Sequence, residues 1–137
     1  MLAQSYEAQR RKEMNQHTPE RRRQPRIRKE LPLKIRTDGF DFVTQTKDIS
    51  CIGAYCHIDK YIPPMTKLSI MLLLPVEFKT KTEAEKVQCK GVVVRAEPDP
   101  QKGYNIAIFF NEISQRNKNK ISQYVNLLLS QSSAAAS

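Results

Sequence analysis

The stretch LPLKIRTDGFDFVTQTKDIS, residues 31–50, determines the fold class of this chain. Apolar residues alternate with proline or basic residues from Leu31 to Arg36, and this period of two is typical of a strand with one face on a core. Thr37-Asp38-Gly39 supplies turn chemistry, and a second β-rich run follows over 42–49. The pattern predicts a β-hairpin.

Further β-rich runs follow the hairpin toward the C-terminus. They cover residues 53–58, 68–74, 87–95 and 104–110. The continuous apolar content of the run at 68–74 predicts a strand covered on both faces, and polar residues 79–86 predict a loop. Parallel strands need crossovers of a dozen or more residues, which these short connections do not supply. The sequence therefore predicts an all-β, six-stranded antiparallel barrel or sandwich.

The two ends of the chain differ from this central β-rich part. Ser114 is a suitable N-cap for a helix over 114–130, whose apolar residues share one face. These are Ile121, Tyr124, Val125, Leu128 and Leu129. The leader, 1–19, has no sustained apolar stripe and is expected to be flexible or helical. The small polar residues of 131–137 predict a disordered tail.

Charge is concentrated before the hairpin. The chain has 137 residues and a net charge of +9, which suits one basic domain. Residues 1–36 contain 11 Lys or Arg and 4 Asp or Glu, a net +7, and the rest carries +2. Such a basic segment indicates an anionic, phosphorylated ligand. A solvated tail, or non-specific contact with nucleic acid, explains the charge alone equally well.

Several functional classes lack their sequence signals. No apolar run approaches the roughly 20 residues of a membrane span, and the charged first residues do not form a secretion signal, so we expect a cytoplasmic protein. The 3 cysteines include no Cys-x-x-Cys pair, which predicts free thiols and no metal site. The Asp residues of the hairpin are not accompanied by the cluster of His residues that metal-assisted hydrolysis would need, so we expect the protein to have no catalytic activity.

Two short motifs lie at the two ends of the hairpin. They are Arg22-x-x-x-Arg26 and Asp48-x-Ser50-x-x-Gly53. Together they closely resemble the hallmarks of the PilZ family, bacterial receptors for cyclic di-GMP, and the runs at 91–95 and 104–110 resemble the last two barrel strands of that family. The resemblance covers about 20–129. Ala107 and Met65 depart from it, since the family usually has Gly at both places.

The resemblance implies a fold and a set of functional residues. It implies a PilZ-type barrel with a C-terminal helix, in a domain over 20–130 with an arginine loop at 20–28 and a barrel at 29–112. The implied ligand is cyclic di-GMP, with no cofactor, and a downstream protein partner is expected. The implied ligand-binding residues are Arg21, Arg22, Arg23, Arg26, Asp48, Ser50 and Gly53. The implied processes are motility, adhesion, polysaccharide export or virulence.

The residue types fit such a ligand on chemical grounds. Arginine forks pair with guanine O6 and N7 or with phosphate oxygens, and they stack on bases. An ionised Asp48 accepts hydrogen bonds from the guanine N1–H and N2 donors, Ser50 offers a hydroxyl, and Gly53 permits a close backbone approach. Without the arginine loop, the second motif would be interpreted as an ordinary turn and bulge.

Two other functions remain open at the level of sequence. One is a PilZ-type adaptor that binds proteins through its barrel or helix and binds no nucleotide. The other is a small basic barrel that binds RNA or single-stranded DNA, which should present aromatic platforms on its strands. Phe109, Phe110 and Tyr104 lie in a run predicted as core, so specific nucleic-acid binding is not expected.

Overall fold

The computed structural model describes residues 24–76 and 83–136. Within these ranges, six strands precede one helix. The elements are β1 (Pro32–Thr37), β2 (Phe40–Ser50), β3 (Gly53–Ile58), β4 (Lys67–Val76), β5 (Glu83–Pro98), β6 (Tyr104–Glu112) and α1 (Gln115–Ala136). The predicted leader, 1–19, lies outside the described residues.

The six strands close into one antiparallel barrel. Neighbouring strands follow the order β1-β2-β3-β6-β5-β4, and β1 completes the ring by pairing with both β2 and β4. The predicted six-stranded antiparallel barrel is confirmed, and the alternative of a sandwich is wrong. Closure gives every strand a paired neighbour on both sides over part of its length, so no strand of the ring is an edge strand.

The first hairpin forms as its turn residues predict. Thr37 pairs with Phe40, so only Asp38 and Gly39 connect β1 to β2. Gly39 has a φ of +80°, a left-handed conformation that glycine adopts without steric cost. The hairpin brings the segment before β1 alongside the end of β2.

The interior of the barrel is filled by aliphatic side chains that alternate along the strands. On β4, Leu68, Ile70 and Leu72 are buried, whereas Met71 is half-buried and Ser69 is exposed. The expectation that this strand is covered on both faces is therefore wrong. One face of β4 lies on the core and the other forms part of the outer surface, as in most antiparallel sheets.

The C-terminal helix is capped and packed as predicted. The Asn117 amide donates a hydrogen bond of 3.1 Å to Ser114 Oγ, and Ile121, Tyr124 and Val125 are buried where α1 packs on β5 and β2. The helix continues to Ala136, however, instead of ending at 130 before a disordered tail. Alanine has the highest helix propensity, so the Ala-rich end extends the helix.

Strand β5 also begins earlier than its apolar pattern predicts. It starts at Glu83, within the predicted loop 79–86, because Lys86, Glu85 and Ala84 continue the pairing with β4. Tertiary pairing overrides the polar composition of this segment. Over the described part of the chain, no helix combines the length and the apolar character needed to cross a membrane.

Candidate functional site

A β-bulge in β2 sets the direction of the acidic residue in the second motif. Thr46 pairs with Cys56 and Asp48 pairs with Tyr55, so Lys47 is an extra residue between the two pairs. Simple alternation would place Asp48 on the same face as the buried Thr46. The bulge instead places Asp48 beside Tyr55 on the outer face and turns Ile49 into the core, where it is fully buried.

The end of the arginine segment is fastened to the same strand. Ile27 and Ile49 exchange backbone hydrogen bonds of 3.0 and 2.9 Å. Farther along, the buried Thr46 hydroxyl accepts a hydrogen bond of 2.9 Å from the Leu31 amide and donates one of 2.5 Å to the Lys29 carbonyl. These contacts hold 27–31 against β2 and so fix the position of Arg26.

Arg26 and Asp48 form an ion pair at this place. Arg26 Nη1 lies 3.2 Å from Asp48 Oδ1, and the two side chains are 49% and 22% exposed. Asp48 Oδ1 itself is buried and accepts no hydrogen bond of good geometry from the described residues. The structure thus brings together one residue of each motif, with a charged donor beside a charged acceptor.

Ser50 and Gly53 form the turn between β2 and β3. Ser50 is buried, and its hydroxyl donates to the Gly53 carbonyl at 3.4 Å and accepts from the Ile52 amide at 3.3 Å. A Cβ on Gly53 would collide with the Ile108 carbonyl oxygen of β6. This close approach of two backbones requires glycine at position 53. A ligand contact from Ser50 stays a prediction.

A second contact joins the arginine segment to the motif turn. The buried Cys51 thiol donates a hydrogen bond of 2.6 Å to Gln24 Oε1. Burial raises the pKa of the Cys51 thiol, and the positive charge of Lys118 on α1 lowers it in part. Cys51 is therefore a neutral donor that fastens the arginine segment near the start of the helix.

The outer face beside Asp48 carries residues that the sequence motifs did not identify. The cross-strand register connects Asp48 to Tyr55, Tyr55 to Ala107, and Ala107 to Arg95. The guanidinium carbon of Arg95 lies 5.8 Å from the centre of the Tyr55 ring, and the small Ala107 separates the two side chains. This row is an aromatic and cationic surface continuous with the ion pair.

Two other side chains border this row. Lys47 Nζ lies 5.9 Å from the centre of the Tyr55 ring and donates a 2.8 Å hydrogen bond to Asn105. Phe109 is 46% exposed, so its assignment to the core is wrong, whereas Phe110 is buried. The alternation of β6 could have predicted this difference, because neighbouring residues such as Phe109 and Phe110 face opposite sides of the sheet.

Not every predicted site residue falls in the described part of the chain. Arg21, Arg22 and Arg23 lie outside the described residues, so their relation to Asp48 stays a prediction. Arg26, Asp48, Ser50 and Gly53 are described, and only the first two present charged groups to each other.

Comparison with solved structures finds the same fold. The Bacillus subtilis inhibitor of motility MotI/DgrA superposes with a TM-score of 0.68 at 17% identity, over 77% of this chain and 50% of that protein. The PilZ domain of Escherichia coli YcgR with c-di-GMP gives a TM-score of 0.56 at 13% identity, over 85% and 97%. Borreliella burgdorferi PlzA in complex with c-di-GMP gives 0.51 at 14%, over 88% and 57%.

At these low sequence identities the TM-scores show a shared fold only. This chain spans about half the length of the Bacillus protein. No curated protein matches the sequence significantly. The family model of the PilZ domain matches residues 20–127, which include both motifs, all six strands and most of α1. On the agreement of motif, barrel and family model, the chain belongs to the PilZ domain family.

Proposed function

We propose that this PilZ domain is a receptor for cyclic di-GMP, bound between the arginine segment and the outer face of β2, β3 and β6. The observation that carries the proposal is the position of the Asp48 carboxylate beside the Arg26 guanidinium. The buried Oδ1 of Asp48 lies 3.2 Å from Arg26 Nη1 and lacks a well-aligned donor among the described residues. A carboxylate with one charged neighbour can still accept further hydrogen bonds, and a ligand with N–H groups would supply them.

Guanine matches this pair of charges on both of its edges. Its N1–H and N2 amino group donate to a carboxylate such as Asp48, and its O6 and N7 accept from a guanidinium such as Arg26. Adenine carries a donor where guanine has O6, and it lacks the N1–H donor. The pair should therefore prefer guanine dinucleotides over their adenine counterparts.

The dinucleotide has a second base and two phosphodiester charges. We propose that Arg22, with Arg21 and Arg23 beside it, neutralises the phosphates. Tyr55 and Arg95 offer a stacking surface next to Asp48, because their cross-strand register places them in one outer row. Two of the structural relatives contain c-di-GMP, which supports the ligand class.

The proposal extends to a signalling role without catalysis. Binding would change how the arginine segment sits on the barrel, and a protein partner in the cytoplasm would recognise the changed surface. Control of motility, adhesion, polysaccharide export or virulence would follow from the identity of that partner.

Calorimetric titration of the full chain tests the proposal. Cyclic di-GMP, cyclic di-AMP, GTP and a single-stranded oligonucleotide are compared at two salt concentrations. We expect cyclic di-GMP to bind at least about tenfold more tightly than the other nucleotides. Failure to bind cyclic di-GMP, or equal binding of the oligonucleotide with a steep salt dependence, would contradict the proposal.

A further inference from the structure

A groove crosses the outer face of β1, β4 and β5, away from the ion pair. Two adjoining depressions of about 480 and 530 Å³ share the walls Arg36, Ser69, Lys90 and Glu112. In the strand register, Arg36 pairs with Ser69 and Ser69 pairs with Lys90. The short serine therefore forms the floor between two long cationic side chains.

The neighbouring row of outward side chains contributes Lys34, Met71 and Gln88 to the first depression. Lys34 pairs with both Val43 and Met71, and Met71 pairs with Gln88. Val43 is 82% exposed and Met71 is half-buried. Lys34 separates Val43 from Met71, so Val43 lies outside the lining. The polarizable thioether of Met71 supplies a surface that adapts to an apolar partner side chain.

Positive charge exceeds negative charge along the groove. Its lining contains Lys34, Arg36, Lys67 and Lys90 against Asp38 and Glu112. Among the described residues, Lys34 and Lys67 have no ion-pair partner. Arg36 contacts Asp41 at 3.1 Å and Lys90 contacts Glu112 at 3.7 Å, but both pairs are more than half exposed. Exposed pairs contribute about 0–1 kcal/mol and exchange readily for an incoming carboxylate.

The groove lies opposite the proposed nucleotide site. Its central strand, β4, is three strands from β3 in either direction around the ring β1-β2-β3-β6-β5-β4. The groove runs beside β1 from Lys34 to Asp38, about 14 Å at 3.4 Å per residue, the length of about four extended residues. A partner seated there would leave the Arg26 and Asp48 side chains accessible.

We infer that this groove binds an extended acidic segment of a partner protein. Carboxylates of the segment pair with Lys34, Lys67 and Lys90, and an apolar side chain rests on Met71. Side chains recognise the segment at the centre of the groove, because residues 69–72 of β4 are already paired with β1 on one side and β5 on the other. Charge complementarity and the mixed lining select this occupant.

Nucleic acid fits the groove less well than an acidic peptide. The described lining contains no aromatic ring on which a base could stack. Its two carboxylates, Asp38 and Glu112, would repel a continuous phosphate backbone, whereas a peptide can place an apolar or neutral residue opposite each of them.

The test measures binding of a fluorescein-labelled peptide of alternating Glu and Leu to the full chain by anisotropy. The charge-reversed variant Lys34→Glu/Lys90→Glu is compared with Lys60→Glu/Lys102→Glu, which changes the net charge equally at exposed positions outside the groove. We expect the groove variant to lose at least about tenfold in peptide affinity and the control to lose less than about twofold. Cyclic di-GMP affinity should stay within about twofold in both.

Amide shifts in a ¹⁵N-edited NMR titration of the unchanged chain give a second readout that needs no variant. The largest changes should fall on β1, β4 and β5. Lack of peptide binding, shifts on other strands, equal losses in both variants, or tighter binding of an oligonucleotide at the same residues would each overturn the inference. Failure of cyclic di-GMP to bind would contradict the proposed function and leave the groove inference standing, since the peptide arm is measured without nucleotide.

Discussion

Arg26 Nη1 lies 3.2 Å from Asp48 Oδ1, so a residue that precedes the barrel contacts the end of its second strand. The contact depends on the backbone bridge between Ile27 and Ile49, one residue farther along each segment. Two motifs separated by a whole hairpin therefore meet at this ion pair, and this is the arrangement from which a guanine dinucleotide receptor is proposed.

Asp48→Asn separates the binding role of this pair from a structural one. The amide keeps one acceptor oxygen but replaces the other with an NH2 donor that faces the donor edge of guanine, and it removes the negative charge beside Arg26. Cyclic di-GMP affinity should therefore fall at least about tenfold. The unfolding free energy should change by less than about 1 kcal/mol, because the pair is partly exposed. Calorimetry and chemical denaturation measure the two quantities. Asp41→Asn, which removes a comparable ion pair with Arg36, is the matched control and should leave affinity unchanged.

Thr46→Val tests whether the segment 27–31 positions Arg26. The substitution leaves the Leu31 amide and the Lys29 carbonyl without their buried partner, and we expect a loss of about 2 kcal/mol or more in stability. Ligand affinity should fall as well, because the segment is released. Thr44→Val removes one half-buried hydrogen bond to the His57 carbonyl and should cost less than about 1 kcal/mol. Equal effects of the two variants would argue against a positioning role.

Gly53→Ala should destabilise the barrel through a backbone collision. The added Cβ meets the Ile108 carbonyl oxygen, so the turn or β6 must shift, at a cost of about 1–3 kcal/mol. Gly39→Ala places a Cβ in open space and is opposed only by its φ of +80°, with a cost of about 1 kcal/mol. Thermal unfolding compares the stabilities of the two variants. If Gly53→Ala destabilises the protein less than Gly39→Ala does, the backbone of β6 moves away from the added Cβ with little loss of stability.

Met65→Gly should stabilise the protein. Met65 has a φ of +74° and is 78% exposed, so its side chain adds left-handed strain and little packing. Relief of that strain, offset by the entropy of glycine, should contribute about 0.5–1 kcal/mol. Met65→Ile should be less stable than the natural chain, since β-branched residues tolerate this conformation least. Chemical denaturation measures both effects: the midpoint should rise for Met65→Gly and fall for Met65→Ile, with the dependence of the unfolding free energy on denaturant unchanged.

Stability should decrease in alkaline solution because of buried thiols. Burial raises the pKa of Cys56 from 9.0 to about 12. The unfolded chain therefore loses this proton first, and the stability present below pH 9 falls as pH rises toward 12, by up to about 1.4 kcal/mol per unit. Cys56→Ala should reduce this slope in denaturation measured across that range and leave the contribution of Cys89, whose pKa burial also raises to about 12. An unchanged slope would show that the Cys56 thiol ionises equally in both states.

Local patterns account for most of the fold. Alternation over Leu31 to Arg36 predicted β1, Ser114 predicted the start of α1, and Asp38-Gly39 predicted the first turn, because each depends on residues close together in the chain. Predictions at element ends were less accurate. The start of β5 at Glu83 depends on pairing with β4, and α1 ends at Ala136 instead of at the predicted residue 130.

The amino-acid order alone was enough to specify an antiparallel β-protein of the PilZ family with a basic segment before its first strand. Tertiary structure decided that the strands close between β1 and β4. It also decided that bulges at Lys47 and Val94 bring Asp48 and Arg95 to one outer row. Periodicity is a property of neighbouring residues, whereas closure and register depend on pairing between distant segments, and a one-residue shift moves a side chain to the opposite face of a sheet.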